Sequence, residues 1–142
     1  MAHQISVFAE NKPGRISRVT GILETEGINI RAMTLSSSGD FGIIKLLVDQ
    51  PDKALRALSA GGLSAYKKEI LAILMDDRPG GLNLLARTLE GNGINIEDAY
   101  GFVVKSLGQA VFVVEVDTIP EATALVAGAG LPMLTDEEIY AL

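Results

Sequence analysis

The residues able to do chemistry are few, and their spacing does not suit catalysis. The chain of 142 residues has one histidine, His3, and no cysteine. Thiolate nucleophiles, disulfides and thiolate zinc sites are thereby excluded, and zinc is left without a plausible ligand set. The serine run Ser36–Ser38 has no base to activate a hydroxyl and reads as a polar turn with Gly39 and Asp40. Asp76 and Asp77 are neighbours at a strand end, point different ways, and read as solvated loop charges. Gly91-Asn92-Gly93 and Gly128-Ala129-Gly130 follow helical patterns instead of opening them, so they are caps and not phosphate loops. No catalytic group, cofactor or metal is expected. Two other elements recur together: Pro-Gly at 13–14 and 79–80, and Gly-Ile-Asn-Ile at 27–30 and 93–96. A helix that starts at Pro-Gly offers unpaired amides and partial positive charge, so it can receive a carboxylate without a charged side chain. Glycine at 14, 80 and 81 clears the approach. Each residue also has a purely structural reading. Proline preorganises a helix start, and Asn29 or Asn95 can serve a turn.

These elements belong to a duplication. Residues 13–30 (PGRISRVTGILETEGINI) and 79–96 (PGGLNLLARTLEGNGINI) lie 66 positions apart and share eight of eighteen residues, too many for chance. IIKLLVD (43–49) and VFVVEVD (111–117) lie 68 apart, which assigns the two extra residues to a hairpin near Val104–Gly108. Each half predicts strand, helix, strand, strand, helix, strand. Ile5, Val7 and Ala9 alternate as a strand, and Leu71–Met75 takes the same place in the second half. A helix follows with its apolar stripe at Ile16, Val19, Ile22 and Leu23, or at Leu82, Leu85 and Leu89. Gly27 and Gly93 sit where a left-handed cap would end it. Ile28–Leu35 and Ile94–Val104 read as second strands. Second helices start after Asp49/Pro51 and Asp117/Pro120, with Ala54, Leu55, Leu58 and Ala122, Leu125, Val126 facing the core. The predicted class is α+β: two ferredoxin-like βαββαβ units, 1–68 and 69–142, each an antiparallel sheet with helices on one face. Thr135–Glu138 forms a capping box for a short final helix.

A net charge of −6, with the 12 basic residues dispersed, argues against a nucleic-acid surface. Met-Ala-His-Gln is not the start of a signal peptide, and no segment has the length of a membrane span, so a cytoplasmic protein is expected. The third strands are apolar on both faces, which points to sheet-to-sheet packing within the chain or in a homodimer, and a homo-oligomer is expected.

The pattern [KR]-P-G, helix, G-I-N-I, present as ENKPGRI…GINI and DDRPGGL…GINI across the whole chain, resembles that of the ACT domains. It is most similar to small stand-alone tandem ACT proteins. The resemblance implies a non-catalytic regulatory protein that binds an amino acid, with a metabolic enzyme as a possible partner. Within one unit the Pro-Gly loop and the Gly-Ile-Asn strand start fall at opposite ends. The side-by-side pairing common in the family would bring one unit's loop to the other's strand start. Two composite ligand sites are therefore implied. One joins Asn11, Lys12, Pro13, Gly14, Arg15 and Ile16 to Asn95 and Ile96. The other joins Asp77, Arg78, Pro79, Gly80, Gly81 and Leu82 to Asn29 and Ile30. The first is favoured, because Asp77 would repel a carboxylate where Asn11 would not. Arg15 would either add a charge contact or obstruct. The rival readings are a regulatory subunit of a biosynthetic enzyme such as acetolactate synthase, and a structural assembly module without a ligand.

Overall fold

The computed structural model describes all 142 residues. They divide into two compact units: His3–Lys68, and Glu69–Leu142 together with Met1–Ala2. The first holds β1 (Ala2–Glu10), α1 (Arg15–Thr25), β2 (Ile30–Ser38), β3 (Phe41–Val48), α2 (Pro51–Ala60) and the beginning of β4 (Ser64–Asp76). The second continues β4 and adds α3 (Gly81–Glu90), β5 (Ile96–Val104), β6 (Gln109–Val116), α4 (Ile119–Gly128), β7 (Met133–Leu134) and α5 (Asp136–Ala141). One uninterrupted strand thus serves both units, where the sequence suggested a short strand and then a separate one.

Both units are antiparallel and ferredoxin-like. In the first, β3 pairs with β1 on one side and β2 on the other. In the second, β6 lies between β4 and β5, and β7 adds to the far side of β4. The first core joins Ile5 and Val7 of β1 and Ile44, Leu46 and Val48 of β3 to Val19 and Leu23 of α1 and Ala54 and Leu58 of α2. The second repeats this with Leu71, Ile73, Val114 and Val116 against Leu85, Leu89, Ala122 and Val126. Strand residues enter these cores at period two and helix residues at intervals of four, so the pattern of the sequence becomes one apolar layer between sheet and helices. Leu47, Val111 and Val113 point the other way and are buried as well.

Gly27 and Gly93 adopt φ of 67° and 80°. The amides of Ile28 and Ile94 reach back to the carbonyls of Leu23 and Leu89 at 2.9 and 3.0 Å. Each first helix therefore ends in the left-handed cap expected of it, and β2 and β5 begin only after it, at Ile30 and Ile96. The longer connection of the second unit is a single 3-10 turn, Lys105–Leu107, where the first unit turns on Gly39–Asp40 alone. Thr135 and Glu138 cap α5 reciprocally, as their spacing predicted.

Two expectations are corrected. Ser36–Ser38 are not a turn. They extend β2 and pair with Ile43, Gly42 and Phe41, because an outer strand tolerates polar side chains once its backbone is bonded. Ile16 and Leu82 are also off the core stripe, 36% and 45% exposed. Both belong to the first turn of their helix, and burial of the large side chains begins one turn later, at Val19 and Leu85. Leu85→Ala, at a fully buried position, is predicted to cost about 2–5 kcal/mol. Leu82→Ala should stay within about 0.5 kcal/mol of the parent. Denaturant midpoints of the two variants check the contrast.

Candidate functional site

The site is built where β1 hands the chain to α1. The Asn11 amide donates to Asp40 O at 2.7 Å, and its Nδ2 donates to Gly39 O at 2.9 Å. Asn11 thereby clasps the turn between β2 and β3. Gly14 then takes φ 95° as the N-cap of α1, with no side chain capping the helix. The second unit repeats the device. Asp77 N–H donates to Gly108 O at 3.1 Å, and Gly80 takes φ 87° at the start of α3. A left-handed glycine lets the strand turn sharply into the helix, but it has no oxygen to offer the first amides. Neither α1 nor α3 has an acid in its first turn, whereas α2, α4 and α5 carry Asp52, Glu121 and Asp136–Glu138 there. The two repeated helix starts are the two whose positive ends their own sequence leaves uncompensated.

A cavity of about 440 Å³ opens beside the first of these starts. Phe8–Glu10 close β1 on one side, Lys12–Arg15 and Arg18 form the helix side, and Phe41 and Gly62–Ser64 complete the wall. The volume suits a small metabolite. Arg15 is half-buried, and its Nη1 is enclosed without any hydrogen-bond partner. It lies over Gly42, where a Cβ would stand 3.0 Å from Nη1 and 2.6 Å from Ser36 O. Glycine is what leaves the guanidinium room. Arg18 Nη2 donates to Gly61 O at 2.8 Å and is braced on the turn before β4. Lys12 Nζ lies 3.3 Å from Glu10 Oε2, both well exposed, a pair of little energetic weight. Two guanidiniums thus stand at the positive end of a helix, an arrangement that favours a bound anion.

The second loop differs. Gly81 stands where the first unit has Arg15, and a Cβ there would be 2.7 Å from Asp76 O, so no side chain fits without moving backbone. Leu84 replaces Arg18, and Arg78 Nε lies 3.6 Å from Asp76 Oδ2.

Of the residues nominated from sequence for the first loop, Lys12, Pro13, Gly14 and Arg15 share the cavity. The Asn11 side chain is taken by the hairpin turn, and Ile16 is not in the wall. Asn29 and Ile30 line a shallow depression with Thr20, Glu24, Gly27 and Ile28, and the Asn29 amide donates to Asp49 Oδ1 at 3.1 Å. The register sets Glu10 against Phe41 and Ile30 against Val48. Loop and asparagine therefore stand at opposite ends of β3, about 23 Å apart at ~3.3 Å per residue. The second unit has the same register, with Asp76 on Gln109 and Ile96 on Val116. Both second strands carry a bulge just beyond the asparagine, at Ile30/Ala32 and at Ile96/Asp98. Sequence reasoning missed Phe8–Glu10, Arg18, Phe41 and Gly62–Ser64. A usable signal was present for Arg18 alone: a second arginine three residues after Arg15 at a helix start, where acids are the usual choice. No three His, Cys, Asp or Glu residues gather as metal ligands. No helix is long and apolar enough to cross a membrane.

Comparison with known proteins fits this architecture. The family model described as an ACT domain pair matches residues 1–142, and the chain belongs to that family. A crystal structure of a Bacteroides thetaiotaomicron protein superposes with a TM-score of 0.92 at 30% identity, over 99% of this chain and 96% of that one. The ligand-free regulatory subunit of aspartate kinase from Thermus thermophilus shares the fold, with a TM-score of 0.66, 18% identity, and coverage of 89% and 91%. A probable acetolactate synthase small subunit from Archaeoglobus fulgidus is 35% identical over 57 residues, 39% of this chain. That match spans about a third of the relative's own length, 36%.

Gly14→Ala forces a left-handed φ on a residue with a Cβ and should cost about 1–2 kcal/mol, although nothing lies within 4 Å of the added carbon. Gly21→Ala, in the interior of α1 and equally unobstructed, should instead gain about 0.5–1 kcal/mol. Thermal unfolding of both variants reads the opposite signs.

Proposed function

We propose that this protein is a non-catalytic regulator that binds an amino acid at its Pro-Gly loops, the first loop foremost. The observation that carries the reading is the cavity beside the Gly14 helix start, lined by Arg15 and Arg18 with no acid in that helix's first turn. The amides that follow Gly14 and the Arg15 guanidinium would take the ligand carboxylate. The ammonium group would be accepted by an asparagine side-chain oxygen. Because a unit's own asparagine lies at the far end of its sheet, that oxygen must come from another unit. Asn95, with Ile96, is the candidate for the first loop, and Asn29, with Ile30, for the Asp77–Leu82 loop. The protein then acts in the cytoplasm, as a homo-oligomer, by changing its own assembly or the state of a partner enzyme when the ligand favours one arrangement.

A second reading is a separately encoded regulatory subunit, with contact to a large biosynthetic enzyme as its main task. The 57-residue likeness to a probable acetolactate synthase small subunit supports it. Co-purification of such an enzyme would favour this reading, and a bare assembly module would respond to no ligand.

A thermal-shift panel of the twenty amino acids tests the proposal. A ligand at a hundred times its dissociation constant should stabilise the chain by about 2.7 kcal/mol, and Asn95→Ala should abolish that shift while Asn29→Ala leaves most of it. Loss in Asn29→Ala alone would move the site to the second loop, and no shift with any amino acid would refute ligand sensing.

A further inference from the structure

From the charges around the cavity we infer that the first loop selects a ligand with two acidic groups on a short carbon chain, an acidic amino acid or a simple dicarboxylate. The inference rests on the ligand-binding reading above and narrows it. Three cations line the cavity, Lys12, Arg15 and Arg18. Glu10 is the acid among the lining residues, and it already pairs with Lys12 at 3.3 Å. Two guanidinium charges are left without a carboxylate in the wall. Arg15 and Arg18 are three residues apart on α1 and so share a face of the helix. The structure keeps both near the opening: Arg15 packs over Gly42, and Arg18 is bonded to Gly61 O.

A neutral amino acid brings one carboxylate and one ammonium group, and so leaves the summed charge of the wall unchanged. A second carboxylate compensates the second arginine and can engage it through two parallel hydrogen bonds, the geometry guanidinium is shaped for. Phe8, Phe41 and Leu63 offer apolar cover for the few carbons between the acidic groups. The second loop serves as an internal contrast. It has Gly81 and Leu84 at the two arginine positions, and the space at Gly81 excludes any side chain. The demand for a doubly acidic ligand therefore belongs to one of the two copies, and it arises from side chains that the duplication does not share.

Titration calorimetry on the intact chain tests this with matched pairs: L-glutamate against L-glutamine, L-aspartate against L-asparagine, and glutarate and succinate as dicarboxylates without an ammonium group. At least one acid should bind ten-fold or more tightly than its amide, and raised salt should weaken it. Arg18→Leu, which removes the arginine that the second carboxylate engages, should erase that preference. Glutamate against glutarate then tells which source of the dicarboxylate is read. An amide that binds as well as its acid would overturn the inference and leave amino-acid sensing intact, as would a neutral amino acid that outbinds every acid. Silence from both this panel and the twenty amino acids would sink both readings. If Arg18→Leu fails to fold, Arg18→Gln keeps a donor and removes the charge, and an unchanged acid-to-amide ratio in it would also count against the inference.

Discussion

A strand that ends at a sheet's edge and feeds a helix lying back across the same sheet must reverse within a few residues. Here that reversal is made by Gly14 and Gly80 in left-handed conformations, φ 95° and 87°. The same choice that makes the turn possible removes the side chain that would have capped the helix. Bare amides at the start of α1 and α3 are thus a by-product of the topology before they are a binding feature. At α1 the neighbouring residues add a cavity and two guanidiniums to them. The remaining helices show the alternative, with Pro51 and Asp52, or Pro120 and Glu121, placed in the first turn. Their N-caps make no side-chain cap bond either, but an acid in the first turn offsets the positive end.

Duplication copied the turn but not the surroundings. The spacing of strand, glycine and helix is held in both units, and so is the bulge at the start of the second strand. What differs are the side chains on the helix start, Arg15 and Arg18 in one copy and Gly81 and Leu84 in the other. Arg15 has an unobstructed path over Gly42, while any side chain at residue 81 would meet Asp76 O at 2.7 Å. A difference in local backbone therefore decides whether a cation can stand at the helix start at all. The asymmetry is steric in origin and electrostatic in effect, and it separates two loops whose backbone turns match.

Much of the fold was legible because the two halves constrain each other. A glycine seen twice before Ile-Asn-Ile is a cap with a mechanism, and the two-residue difference in spacing pointed to the hairpin that became the Lys105–Leu107 turn. Periodicity also gave the phase of each helix, but not the turn at which burial begins. Ile16 and Leu82 have the right phase and are nonetheless exposed. The site was less legible than the fold. Asn11 looked like a ligand contact, yet its side chain holds a turn 28 residues away in sequence. Phe41 and Gly62–Ser64 reach the cavity wall from separate elements, and no local pattern announces a wall assembled from distant segments.

If the two loops are chemically unequal in the way proposed, the first receives the ligand. Amide chemical-shift mapping by NMR during titration with L-glutamate tests it most directly. Perturbations should centre on Gly14, Arg15, Arg18 and Gly42, with Gly80 and Gly81 nearly still. Shifts centred on Gly80 and Gly81, with Gly14 and Arg15 unmoved, would contradict it.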